Sequence, residues 1–225
     1  MNVEESLEGI YNTLYQAMGP QNWWPADSQF ETIIGAILTQ SVNWSNVEKA
    51  ILNLKNYSLN LTGSSQLTPA LIKNMDLELL AELIKPSGFY KMKAKKLKAF
   101  VDFLDKEYHG DLDTMFIEVL SALREKLLNV YGIGPETADS ILLYAGYYPV
   151  FVIDAYTKRI FSRIGLAEAD VDYHDLQKML MDKIQPDVDK YNEYHALLVN
   201  LGKNFCKKEN LDCEKCPLVV CSIEE

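Results

Sequence analysis

Chain breakers are scarce, with 11 glycines and 8 prolines in 225 residues. That excludes a collagenous or low-complexity chain and argues against disorder and against a turn-rich all-β protein. Cysteine is scarcer still: there are 4, none before residue 206, so no disulfide framework spans the chain. Long apolar runs are also missing. The longest, Ile141 to Ile153, is interrupted by Gly146 and Pro149 and is too short to cross a bilayer. The opening residues, MNVEESLEGI, are acidic and carry no secretory apolar segment, so a cytoplasmic protein with no membrane partner is expected. Positive charge is short as well: 22 Lys and Arg stand against 32 Asp and Glu, a net charge of −10.

Charge is nevertheless unevenly spread. Lys85, Lys91, Lys93, Lys95, Lys96 and Lys98 fall in one stretch without an acid, whereas Glu168 to Asp189 holds seven acids and two lysines. The lysine run reads either as a solvated helix face or as a surface turned towards phosphate.

What is abundant is the helical period. Phe30, Ile33, Ile34, Ile37 and Leu38 form one stripe, and Ala94, Leu97, Val101 and Leu104 another. Similar stripes run through 47–54, 77–84, 120–128, 141–145, 156–164, 176–184 and 191–201. Ser45 and Glu48 have the spacing of a capping box, and Asp76 suits a cap ahead of Leu77. The one strand-like run is Val150 to Ile153. The pattern predicts an all-α protein of about ten helices. Length allows one large domain or two small ones.

Cys206, Cys213, Cys216 and Cys221 are spaced C-x6-C-x2-C-x4-C within 16 residues. Four thiolates in one loop of a reducing compartment form a metal site, for zinc or for an iron–sulfur cluster, and spacing alone does not choose. Lys203, Lys207, Lys208 and Lys215 surround the loop with charge that suits phosphate.

Between two helical stripes lies Gly132-Ile133-Gly134-Pro135-Glu136-Thr137. Two glycines allow a tight turn, and Pro135 suits the first position of a helix. The segment reads as a plain helix–helix turn or as a phosphate-binding helix start. Asp154 follows an apolar run and opens a helix; it is an N-cap, and a carboxylate in that place stays ionised. Trp23, Trp24 and Trp44 read, by themselves, as core residues. His109, His174 and His195 lack ligand spacing and are read as structural.

Taken in this order, the hairpin, the aspartate and the cysteine loop resemble the helix-hairpin-helix DNA glycosylases of the endonuclease III type. The resemblance runs from about residue 28 to 221. It implies a six-helix barrel domain over 28–145, and a second helical domain from 1–27 and 146–225 that ends in the cluster loop. It places the catalytic role on Asp154 and a [4Fe-4S] cluster on the four cysteines. It puts DNA contacts at Gly132, Ile133, Gly134, Glu136 and Thr137. Leu38-Thr39-Gln40-Ser41 resembles the family stretch that inserts a glutamine into the duplex, and Phe89 to Ala94 resembles another family segment. The last cysteine spacing is x4 where the family uses x5. Glu136 stands where bifunctional members carry a lysine, so no Schiff base is expected. Gly35 stands where the adenine-mismatch branch has a glutamate.

Trp23-Trp24-Pro25 and Trp44 are similar to the pocket aromatics of bacterial 3-methyladenine glycosylases. Stacking and cation–π attraction suit an electron-poor alkylated purine. The expectation is a monomeric, monofunctional glycosylase that hydrolyses the bond to an alkylated purine in double-stranded DNA. The alternatives are an endonuclease III-like enzyme for oxidised pyrimidines, a non-catalytic lesion sensor and a zinc-bound scaffold.

Overall fold

The computed structural model describes residues 3–218. In chain order the helices are α1 (Val3–Met18), α2 (Gln29–Leu38), α3 (Trp44–Thr62), α4 (Pro69–Asn74), α5 (Leu77–Leu83), α6 (Tyr90–Tyr108), α7 (Leu112–Met115), α8 (Leu120–Leu128), α9 (Pro135–Ser140), α10 (Ala155–Arg163), α11 (Tyr173–Lys183) and α12 (Val188–Asn204). No strand occurs among the described residues. The chain divides into two compact units: one is Trp24–Tyr147, and the other joins the stretch up to Trp23 to the chain from Tyr148 onward.

Capping residues fix many helix starts. Ser28, Thr68, Asp76, Asp154 and Asp187 each accept a hydrogen bond from a first-turn amide. The expected capping box at Ser45 and Glu48 is absent. The helix already begins at Trp44 with Asn43 as its extended N-cap, so Ser45 lies inside the first turn rather than ahead of it.

In the Trp24–Tyr147 unit, α2 is the central rod. Every residue from Phe30 to Leu38 is buried, and the helix packs against α3, α6, α9 and a π-helical turn at Ile141–Ala145. Burial of each Ile or Leu there contributes about 1.5–3 kcal/mol. Glu31, an acid on this buried rod, is held by Lys55 Nζ at 2.7 Å.

In the other unit, α10 and α12 lie in close contact. A Cβ on Gly202 would sit 2.4 Å from Tyr156 Cδ1, so the glycine is what admits the tyrosine ring. Phe151, Tyr191 and Tyr194 make an edge-on aromatic cluster beside them.

The helical stripes match helices, while α4 and α7 were too short to show a period. The run Val150–Ile153 is buried but forms no strand. Side chains take its backbone bonds: Gln177 Nε2 donates to the Phe151 carbonyl at 2.7 Å, and the Ile153 amide donates to Tyr173 Oη at 3.4 Å.

Candidate functional site

Residues 129–134 join α8 to α9 as a hairpin. Gly134 is the N-cap of α9, Pro135 stands in its first turn, Ile133 is buried, and Glu136 is exposed. Arg124 on α8 clamps Asp139 on α9 through two bonds, Nε to Oδ1 at 2.7 Å and Nη2 to Oδ2 at 3.0 Å. Gln40, just past the end of α2, lies against this hairpin. Its Nε2 donates to the Gly132 carbonyl at 3.0 Å and to Thr137 Oγ1 at 2.9 Å. Residues 92 and 97 positions apart are thus brought together.

The same unit gathers three aromatic rings. Trp24 meets Trp44 edge-on at 5.0 Å between centroids and Tyr144 at 5.1 Å. Tyr144 comes from the π-helical turn, a local widening that often marks functional sites. Gly35 on α2 makes room for this cluster, since a Cβ there would fall 3.0 Å from the Trp24 ring. A glutamate at 35 would press on that indole. Pro25 is exposed. Trp23 belongs to the other unit, where Lys203 Nζ lies 5.8 Å from its ring centre.

Asp154 caps α10. Its Oδ1 accepts from the Thr157 amide at 2.7 Å and the Thr157 hydroxyl at 2.9 Å. Its Oδ2 lies 3.7 Å from His195 Nε2 of α12, and the two side chains are only 11% and 7% exposed. Burial by itself raises the carboxyl, but His195 and the Thr157 bonds outweigh it and hold Asp154 below the usual carboxylate value. The carboxylate is therefore ionised at neutral pH. His195, which lacks ligand spacing and is read as structural, faces this carboxylate. It reaches the aspartate through the packing of α10 on α12.

The cysteine loop follows α12. Cys206 is buried, Cys216 half-buried and Cys213 exposed, while Cys221 lies outside the described residues. Arg163 Nη1 lies 3.3 Å from Cys206 Sγ, and Arg159 Nε donates to the Cys206 carbonyl at 2.9 Å. Burial pushes the Cys216 thiol up, and Cys206, Cys213 and Asp212 add to it, so the three described cysteines feel one another. Among the described residues no group of three His, Cys, Asp or Glu is drawn together to hold a metal ion. An all-sulfur donor set with a guanidinium N–H on one sulfur fits thiolate ligation of a soft metal or an iron–sulfur centre.

The lysine run is not a uniform face. Lys93 is buried, donating to the Leu38 carbonyl at 2.8 Å and the Ser87 carbonyl at 2.5 Å. Lys98 Nζ donates to the carbonyls of Lys73 and Met75, and Lys85 pairs with Glu82. Lys91 and Lys95 are exposed. Among the described residues no helix is long and apolar enough to cross a membrane.

Residues 34–186 match the HhH-GPD superfamily of base excision DNA repair proteins, and the chain belongs to that family as a DNA glycosylase of all-helical fold. A candidate DNA repair glycosylase of Methanocaldococcus jannaschii is 43% identical over 224 residues, covering 96% of each chain. Endonuclease III of Sulfolobus acidocaldarius is 29% identical over 187 residues, covering 83% of this chain and 78% of the other. Among solved structures, the H. pylori 3-methyladenine DNA glycosylase MagIII bound to 1,N6-ethenoadenine superposes with a TM-score of 0.76. It is 30% identical over 90% of this chain and 98% of that one. An endonuclease III–DNA complex, 20% identical, shares the fold with a TM-score of 0.79 over 99% of this chain and 96% of that one.

Proposed function

We propose that this glycosylase hydrolyses the N-glycosidic bond of an alkylated purine such as 3-methyladenine in double-stranded DNA, as a monomer and without strong strand-cutting activity. The observation that carries the reading is the cluster of Trp24, Trp44 and Tyr144. Such rings offer stacking and cation–π attraction to a cationic base. The likeness to MagIII, whose solved structure holds an ethenoadenine, supports the same substrate class.

In this reading the hairpin around Gly132, Ile133 and Gly134, with Glu136 and Thr137, grips phosphate, and Gln40 fills the gap left by the extruded nucleotide. Pro25 and Trp23 flank the base pocket. The Asp154 carboxylate stabilises the positive charge that grows on the sugar as the base departs with the bonding electrons. Water then adds to the sugar carbon and gives up a proton. An alkylated base is a good leaving group, so little acid assistance is needed. Glu136 cannot form an imine with the sugar, because a carboxylate has no amine to condense.

Cys206, Cys213, Cys216 and Cys221 would hold a [4Fe-4S] cluster, which supplies a structural cross-link when bound. Arg159 and Arg163 anchor the first ligand to α10, the helix that Asp154 caps.

A glycosylase assay over duplexes carrying 3-methyladenine, hypoxanthine or thymine glycol tests the reading. Release of 3-methyladenine without a borohydride-trapped covalent adduct is expected. The second reading, a glycosylase for oxidised pyrimidines, rests on the endonuclease III relatives; efficient release of thymine glycol alone would put it first. A lack of excision on every lesion would favour a non-catalytic sensor. Iron and sulfide analysis of anaerobically purified protein tests the cluster, with about four of each expected and zinc as the opposing result.

A further inference from the structure

Gln40 is stowed rather than presented. An amide side chain has two N–H donors and one strongly accepting oxygen. Both partners of Nε2, the Gly132 carbonyl and Thr137 Oγ1, belong to the hairpin. The oxygen is taken as well, because Lys96 Nζ donates to Gln40 Oε1. Three hydrogen bonds thus hold the side chain within one unit of the protein.

Lys96 reaches Gln40 by a route that only glycine permits. Its stem lies flat across Gly132, where a Cβ would fall 2.4 Å from Cγ and 2.6 Å from both Cδ and Cε. Gly132 also has a φ of +80°, a backbone state that favours glycine independently of the lysine. One residue therefore satisfies two demands, the bend of the hairpin and the passage of the lysine. One turn earlier on α6, Lys93 ties down the carbonyl of Leu38 at the end of α2, so the segment leading into Gln40 is anchored. The side chain of Gln40 can then leave the hairpin without the end of α2 moving.

We propose that Lys96 is a latch that holds Gln40 folded on the hairpin when no DNA is bound, and that Gln40 enters a duplex only after this contact breaks. The latch itself is a property of the free protein. Its consequence for DNA rests on the reading of Gln40 as the gap-filling residue. A charge-assisted bond is the strongest of the three that Gln40 makes. Breaking it sets a threshold for insertion, which a well-stacked duplex does not repay and a distorted one does. Lys96 is in this sense a positioning residue, acting on the lesion search through Gln40.

The test uses the full chain with Lys96→Met, which keeps an apolar stem over Gly132 and removes the ammonium. The first readout is NMR of the Gln40 side-chain amide in the free protein, assigned by its loss in Gln40→Ala. Slow hydrogen exchange is expected in wild type, with clearly faster exchange in Lys96→Met. The second is stopped-flow fluorescence of 2-aminopurine placed opposite a tetrahydrofuran abasic analogue. Lys96→Met should speed the fluorescence rise by about tenfold, the effect of losing one such bond. Gln40→Ala should abolish that rise.

Unchanged amide exchange together with an unchanged rate in Lys96→Met would overturn the latch. If Gln40→Ala leaves the fluorescence rise intact, the gap-filling reading fails instead, and the amide exchange alone decides the latch. Thermal unfolding is run beside both measurements. Should the methionine variant not fold, Lys96→Gln removes the same charge and is judged by the same two outcomes.

Discussion

Oδ2 of Asp154 faces Nε2 of His195 at 3.7 Å, while Oδ1 of the same carboxylate is tied to Thr157. One oxygen serves the helix start and the other looks at an imidazole. The division separates two roles that a single N-cap residue otherwise merges. Asparagine caps a helix about as well as aspartate does. Asp154→Asn should therefore unfold within about 1 kcal/mol of wild type. Base excision should nevertheless fall by about 10²–10³-fold, the size of a lost electrostatic stabiliser. Urea unfolding and single-turnover excision read the two effects separately. Excision within a few-fold of wild type would reduce Asp154 to a cap.

The same carboxylate gives a pH dependence. Its folded pKa lies below the ordinary value despite burial, because His195 and Thr157 favour the charged form. It therefore contributes stability above the unfolded carboxylate pKa and loses that contribution as pH falls through the folded value. His195→Phe removes one of the two supports and should raise the Asp154 pKa. The acid limb of the single-turnover profile should then move to higher pH. A limb that stays in place would show that Thr157 alone holds the charge.

Arg124 and Asp139 form the bracket of the hairpin. Asp139 has no exposed side-chain surface, and its two oxygens receive the two nitrogens of the guanidinium in parallel. Removing one partner leaves the other charge poorly compensated. Asp139→Ala should cost about 3–5 kcal/mol in unfolding free energy. Arg124→Met combined with Asp139→Leu should cost less than the sum of the separate changes, because no orphan charge remains. Strict additivity in denaturant titrations would mean that the pair is not coupled.

Lys93 offers a test of burial. It is 2% exposed, and burial, helped by the neighbouring Lys96 ammonium, pushes it down to about 8. An unfolded lysine titrates near 10.4. Between those values the folded chain binds fewer protons than the unfolded one, so this lysine's contribution to stability grows as pH rises from about 8 to about 10.4. Wild type should gain on Lys93→Met across that window, by an amount approaching about 3 kcal/mol. Urea titrations at neutral pH and near pH 10 give the comparison. An equal difference at both would show that the ammonium keeps its proton throughout.

Local chemistry made Asp154, Pro135 and Asp76 legible from sequence, because a cap needs only its own next turn. His195 was not legible, since it meets the aspartate only through the packing of α10 on α12. Lys93 could have been found. It sits four residues before Leu97 and seven before Phe100, on the buried stripe of α6, although the surrounding lysines make the segment look like surface. The misplaced capping box at Ser45 has the opposite cause. Its spacing is local, but where the helix starts is set by the chain leaving α2 at Thr39 to Asn43. Tyr144 was not singled out in the sequence, and the π-helical turn that carries it left no mark in the period.

The aromatic cluster makes the most exposed claim about substrate. Trp44 is half-buried and meets Trp24 edge-on, so its removal threatens both binding and packing. Stacking on a base is worth about 1–3 kcal/mol by alanine substitution. Loss of a core tryptophan costs about 3–5 kcal/mol of stability. Two variants separate these effects. Trp44→Phe keeps a ring and should retain most of the stability and a good part of the excision. Trp44→Ala should lose more excision of 3-methyladenine than of hypoxanthine, because the ring face attracts the cationic base more strongly than the neutral one. Gly35→Ala provides an independent probe. Its new Cβ would press on the Trp24 indole from 3.0 Å, so excision should fall even if the helix itself gains stability. Single-turnover rates on both lesions, with thermal unfolding in parallel, give the comparison. Equal losses on the two lesions in Trp44→Ala, with unfolding shifted to match, would make the cluster a packing element and return the choice of substrate to the oxidised pyrimidines.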